Sequence, residues 1–123
     1  MILVDTSVWV DHFRVADERL MSLLNAGEAL GHPFVTGELA LGNLRQRDNI
    51  LWALQRLPQA VCAEPAEVLD FIDREALFGH GIGYVDVHLL AATRLTAGAR
   101  LWTRDRSLHQ VAAELGLAAV VSH

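Results

Sequence analysis

Four acidic residues stand in apolar surroundings: Asp5 in MILVDTSVWV, Glu38 in FVTGELALGNL, Asp86 in IGYVDVHLLAA and Asp105 in LWTRDRSL. Each alone has an ordinary explanation. Asp5, Asp86 and Asp105 fall just before or early in expected helices, where aspartate caps unpaired backbone N–H groups. Glu38, on an amphipathic helix, is most simply a solvated side chain. The apolar settings shift that balance, because a carboxylate among packing residues is costly to desolvate unless something pairs with it. Were the four to converge, two unit charges about 4 Å apart would repel by about 4 kcal/mol at an effective dielectric of about 20. Proton uptake or cations must relieve such repulsion. Oxygen-only ligands suit hard cations, Mg²⁺ or Mn²⁺, and no cysteine set or ordered histidine pair competes for zinc. A cation so held lowers the pKa of a bound water, orients a phosphodiester and neutralises charge on the transferring phosphoryl group. The chemistry these residues could do together is phosphodiester hydrolysis.

Convergence depends on the elements that carry them. Met1 to Val4 reads as a short buried strand ending at Asp5, and Ser7 opens a helical pattern through Val8, Trp9, His12 and Phe13. A second helix is expected from Asp17 to Asn25, stopped by Gly27, followed by a strand over Ala29 to Gly31. Pro33 suits the first turn of a third helix, carrying Glu38, Leu39, Leu41 and Leu44, and a further helix runs from about Asp48 to Leu57. Ala60 to Ala63 reads as a strand, Pro65 starts a helix through Leu77, and Phe78 to Gly83 (FGHGIG) reads as a flexible loop. Tyr84 to Ala97 forms the helix of Asp86; then come a strand over Ala99 to Thr103, a helix over Asp105 to Leu115 and a last strand over Leu117 to Val121. Strands alternating with helices imply an α/β domain of three layers, a central parallel sheet of four to five strands between helices. Ligands of such sheets bind beyond the carboxyl ends of the strands, near the point where strand order reverses. Asp5 and Asp105 both fall at strand carboxyl ends.

Composition narrows the setting. The 123 residues fit one domain spanning 1–123, large enough to bury a core without staples. A hydrophobic fraction of 52% and a mean hydropathy of +0.26 suggest a well-covered parallel sheet or an apolar face kept for another chain. There is no export signal and no membrane span, and a single cysteine, Cys62, excludes a disulfide framework, so a reducing, cytoplasmic location is expected. Cys62 itself reads as an inert core residue. The formal charge of −5, with every basic residue Arg, argues against a general polyanion-binding module. It does not exclude a nuclease whose acids are loaded with cations.

VDTSVWVDHFR at the start, TGEL around Glu38, GIGYVDVHLLAA around Asp86 and LWTRDRSL around Asp105 together cover nearly the whole chain. In that order the chain resembles the PIN-domain ribonucleases and, among them, the VapC-type toxins of bacterial toxin–antitoxin pairs. The resemblance implies a parallel-sheet PIN fold, a homodimer, and RNA cleavage by metal-activated water that leaves a 5′-phosphate. It implies Asp5, Glu38, Asp86 and Asp105 as the catalytic acids, with Asp5, Asp86 and Asp105 on Mg²⁺ (or Mn²⁺). Ser7 and Thr103 match hydroxyl residues that hold the carboxylates or metal-bound water. A small VapB-type antitoxin is also implied, wrapping the toxin and pushing an Arg into the acidic site. Trp9, Phe13, Leu41, Leu44 and Trp52 are candidates for lining its groove, or are ordinary core.

Other residues carry less. Asp11 is left outside the site, and Arg104 and Arg106 read equally well as phosphate contacts or as solvated charges. His80 and His88 read as surface or packing residues. A phosphotransferase with Asp5 as nucleophile lacks a second Asp two positions on and any candidate Lys. A PIN-like binding or regulatory module without catalysis is the remaining alternative, opposed by the presence of all four acids.

Overall fold

The computed structural model describes residues 1–120. The apolar run Ile2–Val4 is strand β1, and Asp5 turns the chain directly into helix α1, Thr6–Arg14. Helix α2 spans Glu18–Asn25, and Gly27, at φ +69°, supplies the left-handed residue that ends it and delivers the chain to β2, Ala29–Leu30. Proline at the first turn opens α3, Pro33–Ala40, and α5, Pro65–Arg74; α4, Arg47–Arg56, lies between them. Helix α6, Tyr84–Leu95, leads to β3, Arg100–Trp102, and α7 is Arg106–Glu114.

The sheet is parallel, in the order β2-β1-β3, with Leu3 opposite both Leu30 and Leu101 and Val4 opposite Trp102. Single parallel bridges, Gly31 to Gln59 and Leu101 to Ala118, extend each edge by one residue. The fold class is the expected one; the strand count is not. Among the described residues there are three strands, and the segments expected as the other two contribute a bridge each. Ala60 to Ala63 lies between Pro58 and Pro65, and the Val61 N–H bonds the Thr96 hydroxyl at 2.8 Å instead of a strand. Of the last expected strand, only two bonds around Leu101 hold the chain, from Leu117 O and Ala119 N, and Val121 lies outside the described residues.

Position along the sheet therefore runs Gln59, β2, β1, β3, Ala118. The chain moves outward from β1 and then returns to β1's other side, so strand order reverses between β1 and β3. Right-handed crossovers place α1–α4 on one face and α5–α7 on the other, consistent with the packing of α3 on α1 and α4, and of α5 on α6. Leu3, Val4 and Leu101 from the sheet join Leu20, Leu89, Leu90 and Leu108 in the fully buried core. Helix α6 is buried without a break from Val87 to Thr93 and mostly apolar there, His88 and Thr93 being its polar members, with the Thr93 hydroxyl donating to Leu89 O at 2.7 Å. Among the described residues no helix is long and apolar enough to cross a membrane. Cys62, expected in the core, is exposed. Leu41, expected within α3, follows its end and is 91% exposed.

Candidate active site

Asp5 and Asp105 come together because β1 and β3 are neighbours: the Asp5 N–H continues the ladder to Trp102 O at 2.9 Å. Asp5 is buried, and its Oδ2 accepts from the Ser7 hydroxyl at 2.7 Å, the Thr103 hydroxyl at 2.8 Å and, more weakly, the Ser7 N–H at 3.4 Å. Each hydroxyl has one proton, so with both spent on Asp5 the 3.3 Å approach of Ser7 Oγ to Thr103 Oγ1 is proximity alone. Their lone pairs serve the next loop: Thr103 Oγ1 accepts the Asp105 N–H at 3.0 Å and Ser7 Oγ accepts the Arg104 N–H at 3.0 Å. One hydroxyl pair thus locks the end of β1 to the loop leaving β3.

Asp105, exposed, caps α7 with Oδ1 on the Leu108 N–H at 3.0 Å. Asp86, half-buried, folds back at the start of α6 so that Oδ2 accepts the Gly83 N–H at 3.0 Å. Glu38, exposed on α3, accepts the Thr6 hydroxyl at 2.7 Å through Oε1, which ties α3 to α1. The capping role and a shared site are therefore compatible. Each carboxylate commits one oxygen to fixing its own orientation, and among the described residues no donor reaches the other oxygen.

Electrostatics connects the four. Burial pushes the Asp86 carboxyl above its ordinary 3.8, the Gly83 N–H opposes this, and the negative charges of Asp5, Asp105 and Glu38 push it further up. Like charges within reach of one another make a place where a hard cation is favoured. Even so, among the described residues no three His, Cys, Asp or Glu side chains are grouped tightly enough to hold a metal ion. The acids share one mouth without closing into a coordination set. Their oxygen-only donor chemistry is of the kind that suits Mg²⁺ or Mn²⁺.

Several neighbours behave differently from expectation. Arg104, read as a possible phosphate contact, spends its guanidinium on Asp11 at 2.7 Å and Asp17 at 2.5 Å, with Trp102 beneath it at 5.8 Å. Asp11 is thereby tied to Arg104. A cavity of about 400 Å³ opens beside Glu38, lined by Thr6, Val10, Phe13, Arg14, Leu44 and Ile50 among others. Of the candidate groove residues Phe13 and Leu44 line it, Trp9 belongs to the core, and Leu41 and Trp52 are exposed elsewhere. Sequence reasoning missed Thr6 and Gly83. The G-x-x-D spacing at the start of α6 could have suggested the Gly83 bond; nothing local links Thr6 to a residue 32 positions away.

A parallel α/β sheet with acids from four separate segments at its point of strand reversal defines the class: the chain belongs to the PIN-domain family, whose description matches residues 2–114. Within that family it stands with the VapC-type proteins. Two relatives, each named Ribonuclease VapC32, from Mycobacterium tuberculosis strains CDC 1551 / Oshkosh and ATCC 25618 / H37Rv, are 51% identical to it over 118 residues. The match covers 96% of this chain and 95% of each relative.

Proposed function

We propose that this chain is a metal-dependent endoribonuclease, the toxin of a toxin–antitoxin pair, with Asp5, Glu38, Asp86 and Asp105 as its catalytic acids. The observation that carries the reading is the meeting of Asp5 and Asp105 through the Ser7 and Thr103 hydroxyls at the strand reversal, in a chain 51% identical to proteins named as ribonucleases. Asp5, Asp86 and Asp105 are the residues that would hold Mg²⁺ or Mn²⁺. When bound, the cation lowers the pKa of a water and neutralises charge on the phosphoryl group. The protein's own part is positioning. Ser7 and Thr103 fix Asp5 through its Oδ2 and leave Oδ1 without a protein donor among the described residues. Glu38, held at Oε1 by Thr6, offers Oε2 to take the proton of the attacking water. Asp105 and Asp86 are oriented by the helix starts they cap.

The same reading assigns partners. A VapB-type antitoxin would lay an apolar segment into the cavity beside Glu38 and bring an Arg to the carboxylates. Exposed apolar side chains such as Leu69, at 61%, and Val61, at 49%, are available to a homodimer.

The deciding experiment incubates total cellular RNA with the purified protein and with Asp5→Asn, under Mg²⁺, Mn²⁺ or EDTA, and sequences the new ends. Metal-dependent cuts bearing 5′-phosphates, lost in the variant, are expected. A folded, antitoxin-free protein that cuts nothing under any metal would replace this reading with that of a binding module without catalysis.

A further inference from the structure

A group of aromatic rings at the starts of α3 and α6, the helices that carry Glu38 and Asp86, has no part in the chemistry above. His88 is 4% exposed, and two rings stand edge-on to it: Tyr84 at 4.6 Å and 87°, and Phe34 at 4.7 Å and 62°. Phe34 also stands at 71° to the buried His32, 5.3 Å away. The two outer rings are open, Phe34 at 39% and Tyr84 at 51% exposure. Both sit in the first turns of their helices, α3 and α6, which begin at the carboxyl edge of the sheet. Helical side chains lean toward the helix N-terminus, so both rings lean to the edge where the acids lie. Phe34 is one turn before Glu38 on the same face of α3, whereas Tyr84 shares a face of α6 with His88 and only the first turn, not the face, with Asp86.

Charge alone does not place a base. The formal charge is −5, and of the two arginines flanking Asp105, Arg104 is already paired with Asp11 and Asp17, which leaves Arg106, with Arg14 and Arg45 beside Glu38, to meet phosphates. Base stacking needs no positive charge and works on any base that leaves its helix. Resting on the ribonuclease reading, we propose that Phe34 and Tyr84, braced by buried His88, form a platform on which an unpaired base beside the scissile phosphate stacks.

The test has two readouts. Total RNA carrying 4-thiouridine is irradiated with full-length Asp5→Asn protein, and the crosslinked peptides are mapped; adducts at Phe34 or Tyr84 are expected. On an RNA fragment spanning the mapped cut, Tyr84→Ala and Phe34→Ala are expected to raise KM by about 5- to 150-fold, the worth of one stacked base. The loss falls on KM rather than kcat, and Tyr84→Phe, which keeps the ring, restores it. Crosslinks found only elsewhere, or none, overturn the platform; so does an unchanged KM, or a Tyr84→Phe defect equal to that of alanine. A change in molecular mass by light scattering on either alanine substitution assigns the rings to a protein interface and also overturns it. Crosslinks at the rings from a wild-type protein that cuts no RNA would instead remove the ribonuclease reading and leave the platform standing.

Discussion

Thr103 uses a single hydroxyl twice, as donor to Asp5 Oδ2 and as acceptor for the Asp105 N–H. Thr103→Val keeps the shape and leaves both partners short, which should cost about 1–3 kcal/mol of stability for the buried pair. It should also lower RNA cleavage by loosening Asp5 and Asp105 together. Melting and cleavage measured on the same preparation check this, and full activity in a destabilised protein would deny Thr103 any positioning role. Asp86 supplies the charge prediction. Its carboxyl is raised above 3.8 by burial and by Asp5, Asp105 and Glu38, so the folded chain binds that proton more tightly than the unfolded chain. Such a group contributes fully below 3.8 and loses its contribution as pH rises through the raised value. Asp86→Asn should therefore raise the Tm of metal-free protein at pH 7, with the advantage vanishing below pH 3.8. A lower Tm for the variant at pH 7 would defeat the like-charge account. In the sequence these acids were conspicuous by their apolar neighbours, whereas the hydroxyl roles of Ser7 and Thr103 were visible only through family resemblance.

Among the elements, the junction of β2 and α3 shows what local patterns conceal. Pro33 announced the helix, but nothing marked His32 as its buried cap, 1% exposed, with Nδ1 accepting the Phe34 N–H at 3.0 Å. That bond places the proton on Nε2, which has no partner among the described residues. Burial, and then the charge of His88, hold His32 down from 6.5 to about 4. A histidine depressed on folding stays neutral while the unfolded chain takes up its proton, so stability is intact above pH 6.5 and falls as pH drops toward 4. A shift of that size is worth roughly 3 kcal/mol. His32→Asn, which retains a cap acceptor, should flatten the loss between pH 7 and 5 in thermal melts; an unaltered slope would place the acid sensitivity elsewhere. Helices were legible because capping residues, prolines and glycines punctuate them. The edge strands were not, since an apolar run such as Ala60 to Ala63 reads alike whether it pairs for its length or at one bridge.

At the scale of the whole molecule, what the sequence withheld was strand order, and strand order makes the site. Asp5 and Asp105 are 100 positions apart and meet because the return crossover sets β3 against β1; periodicity and turn signals fix elements but not their neighbours. The consequence is a protein of formal charge −5 in which Asp5, Asp105 and Glu38 all act on Asp86, a like-charge cost that a divalent cation, if bound there, would offset. Binding to the folded chain alone stabilises it by RT ln(1 + [L]/Kd), about 2.7 kcal/mol at a hundred-fold excess over Kd. Titrating Mg²⁺ or Mn²⁺ into the metal-free protein should raise its Tm progressively, and Asp5→Asn should blunt the rise without abolishing folding. Calcium, which accepts the same oxygens in looser geometry, should stabilise too while supporting less cleavage, because holding charge and aligning a water are separate demands. If monovalent salt at matched ionic strength gave an equal rise, general screening would explain the stabilisation, and these carboxylates would be a crowded surface rather than a metal site.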